Sequence, residues 1–262
     1  MKQYNWRDII LLNKIRNYIN KYIAKSKQKN EFDNVYSFVV NKKNPVIFDV
    51  GANAGQSIVR YKRLFPNSII HSFEPLENEY NNLLLKYKND NSVIINNFAL
   101  GEKIEKKDFY ISVIRTNSSF QKTKSKAAEF YLENFMKTNK IDPKTEYVTK
   151  IKKVEVQTLD SYCERNNINT VDILKIDTPG HEDKVIAGCT NLLSVKTGIN
   201  IIETDIIFDK VFERSISFFD IEQYIIKNNF KMIALKPTRF KNVFEGYKFS
   251  AAIVYQNKRF IE

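Results

Sequence analysis

Two cysteines, Cys163 and Cys189, are all that the 262 residues contain, and neither has a partner at metal-ligand spacing. That scarcity argues against a disulfide framework or a thiolate metal site and suits a reducing, cytoplasmic compartment. Long apolar runs are missing as well. No stretch approaches the ~18 residues that a membrane-spanning helix needs, and no cleavable leader is expected. Histidine is scarce, so imidazole chemistry has only His71 and His181 as bearers. The chain shows no internal repeat.

What is present is a globular composition, 43% hydrophobic and 27% charged, long enough for one large domain with an appendage. The formal charge is +12, but eight lysines and arginines against one aspartate lie in the first 30 residues. The remainder is only mildly basic, so no nucleic-acid track is expected. In the opening segment Trp6, Ile9, Ile10, Ile15, Ile19, Tyr22 and Ile23 recur at helical spacing. We read residues 1–43 as a basic helical segment that docks on the body of the chain or on a second copy, with a peripheral membrane surface as the alternative partner. Residues 44–262 form the main domain, with an insertion over about 108–157.

The organising stretch is Val46 to Gly55, an apolar run carrying Asp49 that ends in Gly51-Ala52-Asn53-Ala54-Gly55. It reads as a strand, a tight turn and a helix beginning near Gln56, with helix N-terminal amides facing a ligand. A second strand, Ile69 to Phe73, runs into Glu74-Pro75. Glu74 follows Gly55 by 19 residues, the distance at which an acid on the next strand end can accept both hydroxyls of a ribose. The turn lacks the Gly-x-Gly-x-x-Gly pattern of nicotinamide enzymes. Its Asp-x-Gly-x-x-x-Gly resembles the first motif of S-adenosylmethionine-dependent methyltransferases.

Further along, Leu76 to Tyr87 has helical spacing with Tyr80, Leu83, Leu84 and Tyr87 as its stripe, and Val93 to Asn96 makes a third strand. Asp108 to Ile114 and Lys150 to Gln157 alternate as extra strands, and a lysine-rich excursion between them carries a helix around Ala127 to Met136. That excursion is either a substrate lid or a solvated loop. Thr158 caps a helix, Val171 to Asp177 is the fourth core strand, and a helix follows Thr178-Pro179-Gly180-His181-Glu182 to about Cys189. Ile199 to Glu203 is the fifth strand, closing on Glu203 and Asp205, and Phe230 to Leu235 and Phe249 to Tyr255 complete seven. The alternation predicts an α/β, Rossmann-like, mostly parallel seven-stranded sheet with helices on both faces.

Asp49-Val50-Gly51-Ala52-Asn53-x-Gly55, Phe73-Glu74-Pro75 and Leu174-Lys175-Ile176-Asp177-x-x-Gly180-His181-Glu182 together resemble the FkbM-type family of S-adenosylmethionine-dependent methyltransferases. Phe98-Ala99-Leu100 and Gln157 to Asp160 match its intermediate landmarks. The resemblance implies a class I methyltransferase fold and O-methylation of sugar hydroxyls, on a nucleotide sugar or glycan, in surface polysaccharide synthesis. It further implies that Asp49, Gly51, Ala52, Asn53 and Gly55 hold the methionine and ribose part of S-adenosylmethionine. Glu74 then holds the ribose hydroxyls, Pro75, Ala99 and Leu100 flank the adenine, and Ser118 or Ser119 approaches from the insertion. The family usually has Glu where this chain has Pro179, so that carboxylate has no bearer here.

A base for the acceptor hydroxyl belongs at the carboxyl ends of the fourth and fifth strands. His181, Asp177 and Glu203 are the catalytic candidates, with Asp205 beside them. Asp177 is also a candidate for fixing the cofactor. His181 is favoured because an unperturbed imidazole titrates between pH 6 and 7. The spacing identifies no metal. Alternatives are methylation of another hydroxylated metabolite and a cofactor-binding scaffold without chemistry. An RNA methyltransferase would need a binding module or an Asn-Pro-Pro-Tyr-like motif, and the chain has neither.

Overall fold

In a computed structural model, residues 32–138, 145–195, 198–208, 210–214, 217–237 and 250–261 are described. The chain divides into two units, 1–39 and Val40–Glu262. Of the first, only the helix α1, Phe32–Val39, is described, and the expected basic helix lies outside the described residues.

The second unit alternates strand and helix as the apolar pattern requires: β1 (Val46–Val50), α2 (Gln56–Leu64), β2 (Ile69–Phe73), α3 (Glu77–Tyr87) and β3 (Val93–Asn96). Then come β4 (Ala99–Leu100), β5 (Glu105–Ser112), α4 (Ser125–Thr138), β6 (Val148–Gln157) and α5 (Leu159–Arg165). The last elements are β7 (Val171–Ile176), α6 (Glu182–Ala187), α7 (Thr190–Ser194), β8 (Ile199–Ile207), α8 (Phe218–Lys227), β9 (Phe230–Pro237) and β10 (Ser250–Asn257).

Seven strands form one sheet in the order β3-β2-β1-β7-β8-β10-β9. All neighbours from β3 to β8 are parallel, and β10 runs antiparallel to both β8 and β9. The strand order reverses beside β1, which opens a crevice at the carboxyl ends of β1 and β7. Every residue of β7 is buried, the signature of a strand covered on both faces. The insertion supplies most of a second sheet, β4-β6-β5, whose own core is Phe109, Ile111, Phe120, Val154 and Val156 with Leu76 and Ala99.

Two local expectations are corrected and one element is added. The stripe on α3 reduces to Leu83, because Leu84 lies 40% exposed. The helix expected to reach about Cys189 ends at Ala187, and a short helix not expected from the sequence, α7, follows it; the Asp160 carboxylate accepts the Asn191 and Leu192 amides at its start. Strand β8 continues past Glu203, because β10 pairs antiparallel with it through Ile207 and places Ala252 opposite Asp205.

Candidate active site

The crevice holds a cavity of about 350 Å³, within the size range of small-molecule sites. One wall is the first turn: Gly51, Ala52 and Asn53, then Gln56 and Ser57 of α2. Gly51 has φ +85, and a Cβ there would stand 2.2 Å from the Asp177 carbonyl oxygen, so the close approach of the two strand ends admits only glycine. Gly55 favours glycine through its left-handed backbone, φ +78, since a Cβ there would meet only the end of the Leu83 side chain of α3. Gly55 does not line the cavity; it lets α2 and α3 pack closely beside it.

The turn's amides are less available than the sequence implies. Gly51 and Ala52 both donate to the Phe73 carbonyl, and Gly55 donates to the Ala52 carbonyl. The amide of Asn53, held at φ 46, donates to Glu74 Oε2 at 2.9 Å. Glu74 Oε1 accepts the Leu76 amide at 2.9 Å, so both oxygens are fixed while the side chain still faces the cavity. Burial pushes its pKa up to about 7, against the lowering effect of the two amides.

Ala99, Leu100 and Pro75 line the same space. The insertion adds Phe109, Arg115, Thr116, Ser118, Ser119 and Phe120. Ser119 Oγ donates to the Pro179 carbonyl at 2.5 Å, and Ser118 Oγ accepts the Ser112 amide, so this wall is tied to the exit of β7. Asp177, Thr178, Pro179 and His181 close the circuit.

Beneath the floor runs a row of polar residues in register across the sheet. Ser72 pairs with Asp49, Asp49 with Lys175, and Lys175 with Glu203. Lys175, 8% exposed, reaches Asp177 at 3.1 Å and Asp49 at 3.9 Å. Asp49 is fully buried, and burial outweighs Lys175 to push its pKa up to about 6. Asp49 therefore lies below the expected cofactor site and is not part of its lining.

Glu203 is likewise displaced from the role expected of it. Arg60 donates twice to it, at 3.0 and 3.1 Å, and the Tyr61 hydroxyl donates at 2.9 Å. It anchors α2 to the sheet and does not line the cavity. Asp205 is mostly buried beside Asp177 and Lys175; burial, with Asp177, pushes its pKa up to about 7.

His181 lines the cavity but does not titrate near neutrality. It is 3% exposed, its ring lies 4.4 Å from that of Phe120, and neither nitrogen has a protein partner. Burial, reinforced by Lys107, Arg214 and Lys184, drives its pKa down to about 3. His71, the other histidine, is a core residue bonded to the Tyr162 hydroxyl at 2.7 Å.

Sequence reasoning missed Lys175, Arg60, Tyr61 and Thr178. Only Lys175 carries a signal, as the one cation in the mostly apolar stretch Val171 to Ile176. Among the described residues no cluster of three histidine, cysteine or acidic side chains suits a metal.

A seven-stranded sheet of this order, with a glycine turn on β1 and a pinned acid on β2, defines a class I methyltransferase. The FkbM methyltransferase domain matches residues 49–232, and the chain belongs to that family. Its methyl donor is S-adenosylmethionine. The residues present fit that group, since a carboxylate already fixed by two amides faces a cavity of suitable size.

No curated protein sequence matches the chain. Among solved structures it is similar to magnesium protoporphyrin IX methyltransferase from Synechocystis with bound S-adenosylmethionine. That match has 10% identity, covers 98% of this chain and 86% of that one, and has a TM-score of 0.47. It is also similar to a methyltransferase from Aquifex aeolicus (10% identity, 90% and 97% covered, TM-score 0.42). A third is Aeropyrum pernix fibrillarin (9%, 83% and 68%, TM-score 0.44).

Proposed function

We propose that the chain O-methylates a hydroxyl of a sugar, carried on a nucleotide or a glycan, in surface polysaccharide synthesis. The observation that carries this reading is Asp177. Its side chain is 46% exposed, lines the cavity and is held by Lys175 at 3.1 Å. An ionised carboxylate only accepts hydrogen bonds, so it orients a hydroxyl through its proton and can take that proton as the oxygen attacks.

The donor supplies a methyl group on a sulfonium, a good leaving group, and much of the protein's work is alignment. Glu74 takes the ribose hydroxyls, Gly51, Ala52 and Asn53 border the methionine part, and Pro75, Ala99 and Leu100 border the adenine. Ser118 and Ser119 border the site from the insertion. Asp177 replaces His181 as the base in this reading, because a buried imidazole among cations is a poor proton acceptor. Cys163 and Cys189, both buried free thiols, suit a cytoplasmic location.

The test is mass spectrometry of nucleotide sugars incubated with the protein and S-adenosylmethionine. Gain of one methyl group by a sugar supports the reading. Methylation of a different hydroxylated metabolite, with every sugar left unmodified, refutes the acceptor class.

A further inference from the structure

Of the residues that line the cavity, only Arg115 carries a fixed positive charge, against the carboxyl groups of Glu74, Glu79 and Asp177. It is exposed, and its guanidinium has no ion pair or hydrogen bond among the described residues. The neighbouring cations are engaged: Lys175 with Asp177, and Lys107 with Glu105 and the Phe120 ring. The backbone under Arg115 is firmly held. Arg115–Asn117 is a short 3-10 turn, closed by the Ser118 amide donating to the Arg115 carbonyl at 3.1 Å. Ahead of it Ser112 Oγ accepts the Ile114 amide at 3.1 Å, and within it Asn117 donates to the hydroxyl of buried Tyr147 at 3.0 Å. Ser119 then ties this wall to the Pro179 carbonyl, just past Asp177. A fixed turn therefore presents a free guanidinium, with the exposed Thr116 beside it, at the rim of the site where the acceptor is handled.

We propose that Arg115, with Thr116 beside it, binds the diphosphate of a nucleotide sugar, so that the acceptor is the nucleotide-linked sugar and not a neutral glycan. The planar fork of a guanidinium matches two phosphate oxygens at once, and a threonine hydroxyl adds a third donor. The cavity, about 350 Å³, is at the small end of small-molecule sites, and the donor takes up most of it. The reacting hydroxyl then enters as far as Asp177 while the rest of the acceptor stays outside. A diphosphate attached to that sugar lies at the rim, where an exposed cation on a fixed turn meets it. A neutral glycan would give the guanidinium no anion to bind. The inference deepens the proposed function and rests on it for the sugar.

The test is calorimetry of UDP, GDP and dTDP with the protein saturated in S-adenosylhomocysteine, which needs no turnover. At least one diphosphate is expected to bind, and Arg115→Ala to weaken it about tenfold, the scale of a charge-assisted hydrogen bond. Arg115→Lys, which keeps the charge but not the fork, should recover part of that loss. Raising salt should weaken wild-type binding more than Arg115→Ala binding, because the contact is exposed. The affinity for S-adenosylhomocysteine and the melting temperature should stay at wild-type values in both variants. Three results overturn the proposal. One is that no diphosphate binds, or that binding ignores Arg115→Ala. Another is that Arg115→Ala weakens S-adenosylhomocysteine as much as it weakens the diphosphate, which assigns the arginine to the donor's own carboxylate. The third is Arg115-dependent binding of glucuronate without any diphosphate, which makes the anion a sugar carboxylate. Arg115-dependent diphosphate binding with every sugar left unmethylated refutes the sugar acceptor and leaves the diphosphate site standing.

Discussion

Glu74 couples the site to pH, and the coupling can be worked from its surroundings. Burial lifts its carboxyl from the usual 4.5 to about 7, even though the Asn53 and Leu76 amides both favour the ionised form. Ribose hydroxyls donate protons, so they bind the ionised form. Apparent affinity then scales with the ionised fraction of Glu74. With a pKa of about 7, that fraction is roughly one tenth at pH 6 and nine tenths at pH 8. S-adenosylhomocysteine should therefore bind about tenfold tighter at pH 8 than at pH 6, releasing close to one proton at pH 6 and little at pH 8. Isothermal calorimetry in two buffers of different ionisation enthalpy measures both quantities.

The sign for the ligand-free protein is opposite. A carboxyl whose folded pKa is raised contributes stability that is complete below its unfolded value near 4.5 and is lost as pH rises through about 7. Ligand binding should recover stability over the upper part of that window. Glu74→Gln removes the titration, so its affinity should be weaker and nearly flat with pH. A wild-type affinity that is flat between pH 6 and 8, or an equal slope in Glu74→Gln, would refute the assignment. Asp49 and Asp205 titrate in the same region, and they would keep the slope in the variant if they were its cause.

Asp177→Asn should lower turnover by about 10² to 10⁴, the range for loss of a positioned base, with a smaller change in ligand affinity; turnover within about threefold of wild type would remove it from the chemistry. Lys175→Met should destabilise the fold by about 3 to 5 kcal/mol in urea unfolding at pH 8, because it leaves fully buried Asp49 without its cation. The loss should shrink near pH 5, where Asp49 is protonated, and Asp49→Asn should recover part of it; a change under about 1 kcal/mol would show that the pair is idle. Gly51→Ala forces a Cβ against the Asp177 carbonyl at 2.2 Å and strains φ +85, so it should cost at least about 2 kcal/mol and weaken ligand binding; wild-type stability would contradict the packing.

The fold was legible because its strands announce themselves singly. Val171 to Ile176 is apolar except for Asp172 and Lys175, and so dense an apolar run suits a strand covered on both faces. The length of β8 was not legible, because its last residues are strand only through pairing with β10, some fifty residues later. The stripe on α3 was overread for a related reason. Helical periodicity shows which residues share a face, but only the packing shows how wide the covered face is, and on α3 it is one leucine wide.

The site divides along the same line. Glu74 was legible because its distance from the glycine turn is set within one strand-turn-helix-strand unit, where chain geometry fixes the outcome. Asp49, Glu203 and Asp177 look alike in sequence, each an acid at or near the end of a core strand. What separates them is register. Asp49, Lys175 and Glu203 form one row across the sheet, beneath the turn and α2, while Asp177 lies two residues after Lys175, just past the end of β7, and so clears the floor into the cavity. That difference depends on which helix covers which row, here α2 with Arg60 and Tyr61 over Glu203. His181 was misjudged for the complementary reason. Its scarcity drew attention to its unperturbed pKa, but a pKa is a property of surroundings, and Phe120, Lys107 and Arg214 reach it from elements far away in the chain. A sequence fixes which groups can do chemistry; burial and neighbouring charge decide which of them does it.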